Sequence, residues 1–166
     1  QGACRTCGGT GIVRTVDHDA LVPDESLTID EGAVAPWNTL MWSLMTDVCR
    51  EMGVRTDVPY KDLTDREKEI VLHGPAEKRR IMYHLKKQNR AGEMYFTYFS
   101  AARTVLNALD KAKDAKGLKR VEPFIKESPC PDCHGTRLNE RARTLPVHGK
   151  TLPEQCAMQL DELARW

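Results

Sequence analysis

The chain has 166 residues, 40% of them apolar and 30% charged, which fits a globular protein of one domain with an appendage. No apolar run approaches the roughly 18 residues of a membrane span and no signal peptide is read at its start, so a soluble chain in a cytoplasmic setting is expected. The formal net charge of +1 hides an uneven distribution: Asp17 to Glu31 holds six acids and no Lys or Arg, whereas Lys78 to Arg90 holds six bases and no acid.

The first feature is Cys4-Arg5-Thr6-Cys7-Gly8-Gly9-Thr10, and Gly11 to Val16 alternates behind it as a short strand. The acidic stretch contains Pro23 and Gly32 and is expected to be mostly loop. Met41, Leu44, Met45, Val48 and Met52 recur at helical spacing, so a helix is predicted over 37–52 with Gly53 as its stop. Thr64-Asp65-Arg66-Glu67 is a capping box that opens a short helix ended by Gly74. The period then switches to two. Arg79 to Leu85 and Glu93 to Phe99 predict a basic hairpin with its turn over 88–92.

A helix is expected over 101–116, broken by Gly117, and 118–126 adds a turn or two that bury Val121, Phe124 and Ile125. A second cysteine motif follows, Cys130-Pro131-Asp132-Cys133-His134-Gly135-Thr136. Thr144 to Val147 predicts a strand, 148–150 a turn, and Thr151-Leu152-Pro153-Glu154 the cap of a final helix. The predicted class is α+β: a mixed insertion domain of helices and a small antiparallel sheet, hung from a four-cysteine knuckle module. The expected division is 1–16 with 128–166 for the knuckle module and 17–127 for the insertion domain. A motif this close to Gln1, and an end inside an apparent helix, suggest a piece of a larger polypeptide.

Both motifs read Cys-x-x-Cys-x-Gly-Thr, and 122 residues separate Cys7 from Cys130. Each points two thiolates at one spot, and a structural zinc ion needs four sulfurs at about 2.3 Å. Cys4, Cys7, Cys130 and Cys133 are therefore the predicted ligands of one structural Zn2+, with His134 outside the set. The glycines let backbone N–H groups turn toward the sulfurs and stabilise their charge. Cys49 and Cys156 read as buried free thiols on apolar helical segments.

The basic hairpin is the second candidate. Its cations, interleaved with Tyr83, Tyr95, Phe96, Tyr98 and Phe99, suit a nucleic-acid surface, although the aromatics could equally be core. No Gly-x-x-x-x-Gly-Lys-Ser/Thr loop, Gly-x-Ser-x-Gly elbow or His-Glu-x-x-His motif occurs, so no catalytic role is expected of this chain. A thiol–disulfide oxidoreductase would need a thioredoxin-like βαβ context that is missing. A chaperone-type zinc module would need four closely spaced repeats.

Taken together, Gly2-Ala3-Cys4-x-x-Cys7-x-Gly9-x-Gly11, Leu21-Val22-Pro23-Asp24, Ser26-Leu27, Glu31-Gly32-Ala33 and Cys130 to Leu138 resemble the UvrA family. That family supplies the damage-recognising subunit of the bacterial nucleotide-excision-repair excinuclease. Arg5 stands where the family commonly has proline, and the insert is more similar to UvrA-like paralogues than to the housekeeping proteins. The resemblance implies that the knuckles belong to the signature domain of an ABC-type ATPase half. It implies an intact parent that is a homodimer, uses ATP and Mg2+, engages damaged double-stranded DNA and meets a UvrB-like helicase through a region absent here. Arg79, Arg80, Lys86, Lys87 and Arg90 are then the expected phosphate contacts, without base readout. The rival is a protein-docking or structural insert that never touches DNA.

Overall fold

The structure is a computed structural model that describes residues 2–41, 44–85 and 90–166, with residues 83–85 and 90–91 described by backbone alone. Lys86 and Lys87, with Gln88 and Asn89 at the start of the predicted turn, lie outside the described residues. The chain divides into two compact units, one of residues 1–15 and 127–166, the other of residues 16–126. The fold is α+β, helices with small two-stranded sheets.

In the larger unit the acidic stretch is loop, apart from a 3-10 turn at His18–Ala20 and an isolated bridge between Thr28 and Pro59. The predicted 37–52 helix is two helices, α1 (Ala35–Thr39) and α2 (Met45–Glu51). Where the first ends, the Arg120 guanidinium donates to the Thr39 carbonyl at 2.6 Å, replacing the partner that a continuing helix would supply. The apolar stripe survives this break because Met45 and Val48 still reach the core, so periodicity alone could not see it. α3 (Asp65–His73) starts on the Thr64–Glu67 capping box and stops at Gly74, as its residues predict.

β2 (Lys78–Leu85) and β3 (Arg90–Thr97) pair antiparallel from Lys78↔Thr97 through Leu85↔Arg90. Arg90, Ala91 and Gly92, expected in the turn, belong to β3. α4 (Ala101–Lys111) ends earlier than predicted, and Gly117 lies inside α5 (Ala115–Val121) instead of breaking a helix. Asp114 explains this, because its carboxylate accepts the Gly117 N–H at 2.7 Å as an N-cap. A Cβ at position 117 would stand 3.0 Å from that carboxylate oxygen, so the glycine admits the cap.

These elements close around Leu21, Val34, Trp37, Met45, Val48, Val71, Ile81, Tyr98, Val105 and Val121, all buried. Trp37 meets Tyr98 edge-on, with ring centroids 6.1 Å apart, and its indole N–H donates to the Phe99 carbonyl. Val121 and Phe124 are buried and Ile125 packs against this core, as expected.

β1 (Ile12–Val16) pairs with β4 (Ile125–Pro129). The Cys130 N–H donates to Gly11 O at one end, and the Asp17 N–H donates to Phe124 O at the other, the pattern of an antiparallel pair. In the smaller unit α6 (Glu140–Thr144), absent from the sequence reading, is capped by the Asn139 side chain on Ala142 N–H at 2.8 Å. The strand predicted from Thr144 therefore shrinks to β5 (Pro146–Val147), paired with β6 (Lys150–Thr151) across His148 and Gly149. Both turn residues have positive φ, +48° and +84°, which is the type I′ requirement. α7 (Leu152–Cys156) carries the predicted capping box, and α8 (Leu160–Arg165) ends the chain. Cys49 is buried as expected, but Cys156 is exposed, since the short α7 has no buried residue.

Candidate metal centre and hairpin surface

The repeated heptapeptide is a repeated backbone. Gly8 and His134 follow the second cysteine of each motif with φ of +61° and +49°, and Gly9 and Gly135 follow with +88° and +86°. Gly11 and Arg137, again at equivalent places, are both left-handed. His134 bears the Cβ strain that Gly8 avoids, at about 1–2 kcal/mol. The threonines explain themselves. Thr10 donates its hydroxyl to Cys7 O and Thr136 donates to Cys133 O, each at 2.7 Å. Each knuckle is thus locked by its own threonine, a role that the sequence displayed as a repeat without revealing its purpose.

The two knuckles face each other. Cys4 Sγ lies 3.9 Å from Cys130 Sγ, and Cys7 Sγ lies 3.7 Å from Cys133 Sγ. All four sulfurs lie within 4.8 Å of one another. Four sulfurs about 2.3 Å from one ion form a tetrahedron with edges of about 3.8 Å. A disulfide would need about 2.05 Å. The spacing therefore fits a tetrahedral ion, and among the described residues no other cluster of His, Cys, Asp or Glu has metal spacing. Thr6 Oγ1 donates to an Asp132 carboxylate oxygen, joining the third positions of the two motifs. Arg143 donates to the Asp132 carbonyl.

The environment tunes the thiols. The Gly11 N–H donates to Cys7 Sγ at 3.3 Å. Burial pushes the Cys7 thiol up, but the Gly11 and Gly9 N–H groups and the Cys133 and Cys4 thiols outweigh it and draw it down to about 6. At Cys130 the Cys133 and Asp132 N–H groups pull down, yet burial and the Cys133 and Cys4 thiols push it up to about 11. Cys4, Cys130 and Cys133 are buried and Cys7 partly so. His134 is exposed and outside the cluster.

The hairpin separates the predicted phosphate contacts. Directly opposed residues share a face, so Arg80, Met82, Glu93 and Tyr95 lie on one side and Arg79, Ile81, Met94 and Phe96 on the other. Arg79 is held by Glu77 at 2.6 Å, and its Nε donates to Met52 Sδ. Arg80 points outward and pairs with Glu93 at 3.3 Å. The register thus brings Glu93 beside a stretch that is purely basic in sequence, while Glu77 stands just before it in the chain. These pairs are exposed and worth at most about 1 kcal/mol, little enough for a phosphate to compete. Arg90 pairs with Leu85 in the backbone ladder. The aromatics divide as well. Tyr98 is buried, Phe96 and Phe99 pack on the core, and Tyr95 is 71% exposed.

The family model described as the UvrA DNA-binding domain matches residues 17–116. UvrABC system protein A of Streptococcus mutans is 33% identical over 156 residues, covering 90% of this chain and 16% of its own length. The Streptomyces avermitilis protein of the same name is 33% identical, over 98% of this chain and 17% of its own length. The crystal structure of UvrA2 from Deinococcus radiodurans superimposes with a TM-score of 0.78 and 31% identity, over 99% of this chain and 21% of that one. The chain therefore spans about a sixth of the length of these curated relatives.

Proposed function

The chain belongs to the UvrA DNA-binding domain family, and from that premise we propose that it is the part of a nucleotide-excision-repair protein that holds double-stranded DNA and helps to recognise damage. The observation that carries this reading is the family match over residues 17–116, the stretch that includes the hairpin with its exposed cations. In this reading residues 17–127 are an insertion domain. Residues 1–16 and 128–166 are the zinc-knuckle part of an ABC-type signature domain. Cys4, Cys7, Cys130 and Cys133 hold one structural Zn2+, which ties the two ends of the chain together and takes no part in chemistry.

Arg79, Arg80, Lys86, Lys87 and Arg90 are the proposed phosphate contacts. Phosphate contact without base readout suits a sensor that must act on any sequence, because it positions the protein while deformability carries the information. ATP and Mg2+, a homodimeric arrangement, a UvrB-like helicase and a cytoplasmic setting belong to the proposed intact parent. This chain is assigned no catalysis of its own, and among the described residues no helix is long and apolar enough to cross a membrane. The rival is a docking or structural insert without DNA contact, and it draws on Glu77 and Glu93, which blunt the hairpin's charge.

An anisotropy titration of the zinc-loaded chain against duplex DNA at low and high salt separates the two readings. Binding that falls steeply with salt is expected. Arg80→Ala should weaken it about equally on unrelated sequences and reduce the salt slope by about 0.9 for the phosphate lost. No salt-dependent affinity, or a slope that the substitution leaves alone, overturns the DNA reading.

A further inference from the structure

The outer face of the hairpin carries a feature that phosphate contact alone leaves unexplained. Lys78, Arg80 and Met82 from β2 stand opposite Thr97, Tyr95 and Glu93 from β3. Phe96, on the other face of β3, packs on the core, as do Tyr98 and Phe99 just beyond the strand. Tyr95 alone of these aromatics stays 71% exposed, with Met82 57% exposed on the same face. Arg80 stands directly across from the ring, its side chain 60% exposed, and Lys78 lies one step along the same face. Opposed side chains in such a ladder have Cβ atoms about 4.5–5.5 Å apart, so Tyr95 and Arg80 leave the sheet side by side, the Arg80 guanidinium reaching Glu93 on the same face at 3.3 Å, an exposed pair that a phosphate can displace.

A flat ring beside two cations fits a ligand that is planar and apolar at one end and anionic at the other. A nucleotide whose base has left the helical stack is such a ligand, because every base has a π-face and is linked to a phosphate. A fully paired duplex is not. Its base faces are covered by their neighbours, and it offers a tyrosine ring only phosphates, sugars and groove edges. We propose that Tyr95, supported by Met82, stacks on an unstacked nucleobase while Arg80 and Lys78 hold the adjoining phosphates. The hairpin then discriminates distorted from regular DNA without reading sequence. This inference rests on the DNA-binding reading and adds to it the group that senses loss of stacking.

The test compares a matched duplex with the same duplex carrying a short mismatched bubble, using the zinc-loaded chain and anisotropy, with 2-aminopurine in the bubble as a second signal. The unsubstituted chain should prefer the bubble. Tyr95→Ser should lower bubble affinity about 5- to 150-fold, the worth of one base–aromatic stack of ~1–3 kcal/mol at 1.4 kcal/mol per tenfold, and leave the matched duplex unchanged. Tyr95→Phe should keep the preference and the 2-aminopurine response. Arg80→Ala should weaken both ligands alike. The exposed ring contributes little to folding, so an unchanged melting temperature for Tyr95→Ser checks that the variant is intact. Equal loss on both ligands, or no loss on either, overturns the stacking role while leaving the DNA reading standing. Absence of affinity for either DNA sinks both.

Discussion

Single atoms decide several features of this protein. The Ile70 carbonyl accepts the Gly74 N–H at 2.9 Å and the Tyr98 hydroxyl at 2.7 Å, so one oxygen ends α3 and anchors the buried tyrosine. A Cβ at position 74 would stand 2.5 Å from that oxygen and 3.0 Å from the Tyr98 ring. Gly74→Ala should therefore cost about 1–3 kcal/mol by overpacking, read as a lower denaturation midpoint. Gly74 was legible in the sequence as a helix stop, but the close approach that requires it was not. Glu67 was legible as half of a capping box. Its carboxylate also takes the Arg55 fork at 2.9 Å and the Arg55 N–H at 3.0 Å. The Arg55 guanidinium, with the Arg55 and Thr64 N–H groups, holds that carboxyl well below the usual range against the opposing effect of burial. Its contribution is therefore present above the unfolded carboxylate value of about 4.3 and is lost as pH falls below it. Melting temperature should drop on acidification from about pH 5 to about pH 3, and Glu67→Gln should show a shallower drop from a lower start. Parallel curves for the two proteins would refute this.

At the scale of elements, the periodic signals survived and the boundaries moved. Helical spacing of apolar residues placed α2 and α4 on the core but could not reveal the break at Thr39, because a short interruption leaves the stripe almost in phase. Gly117 misled for a related reason. Its low helix propensity suggested a stop, whereas Asp114 uses the missing side chain to approach and cap α5. Asp114→Ala should therefore destabilise the larger unit by about 1 kcal/mol, the usual worth of an N-cap, measured by chemical denaturation. The hairpin was legible as two alternating strands. Alternation along β2 already sends Arg79 and Arg80 to opposite faces, but the Met52 sulfur against the first comes from tertiary packing and Tyr95 across from the second from the register, neither of which a single strand carries.

For the whole molecule, the proposed zinc ion is the feature with the largest expected effect. The buried cluster of the smaller unit consists of Cys4, Cys130 and Cys133, with Cys7 and Val13 against it. That unit has sulfur where the larger one has a hydrophobic core. Metal analysis should find one zinc per chain. A strong chelator should lower the melting temperature and change the near-ultraviolet spectrum, since a structural zinc site supplies roughly 10–16 kcal/mol of apparent binding energy. Unchanged values after complete zinc removal would dismiss the structural role. The sequence by itself determined the four sulfurs, the α+β class, the capping boxes and the family resemblance, because spacing, period and cap chemistry act over a few residues and are written locally. Tertiary structure decided which cations meet acids, that Tyr98 is core and that Tyr95 is left facing solvent. Those outcomes depend on residues distant in sequence becoming neighbours, as Cys7 and Cys133 do at 3.7 Å, and only the folded chain sets such distances.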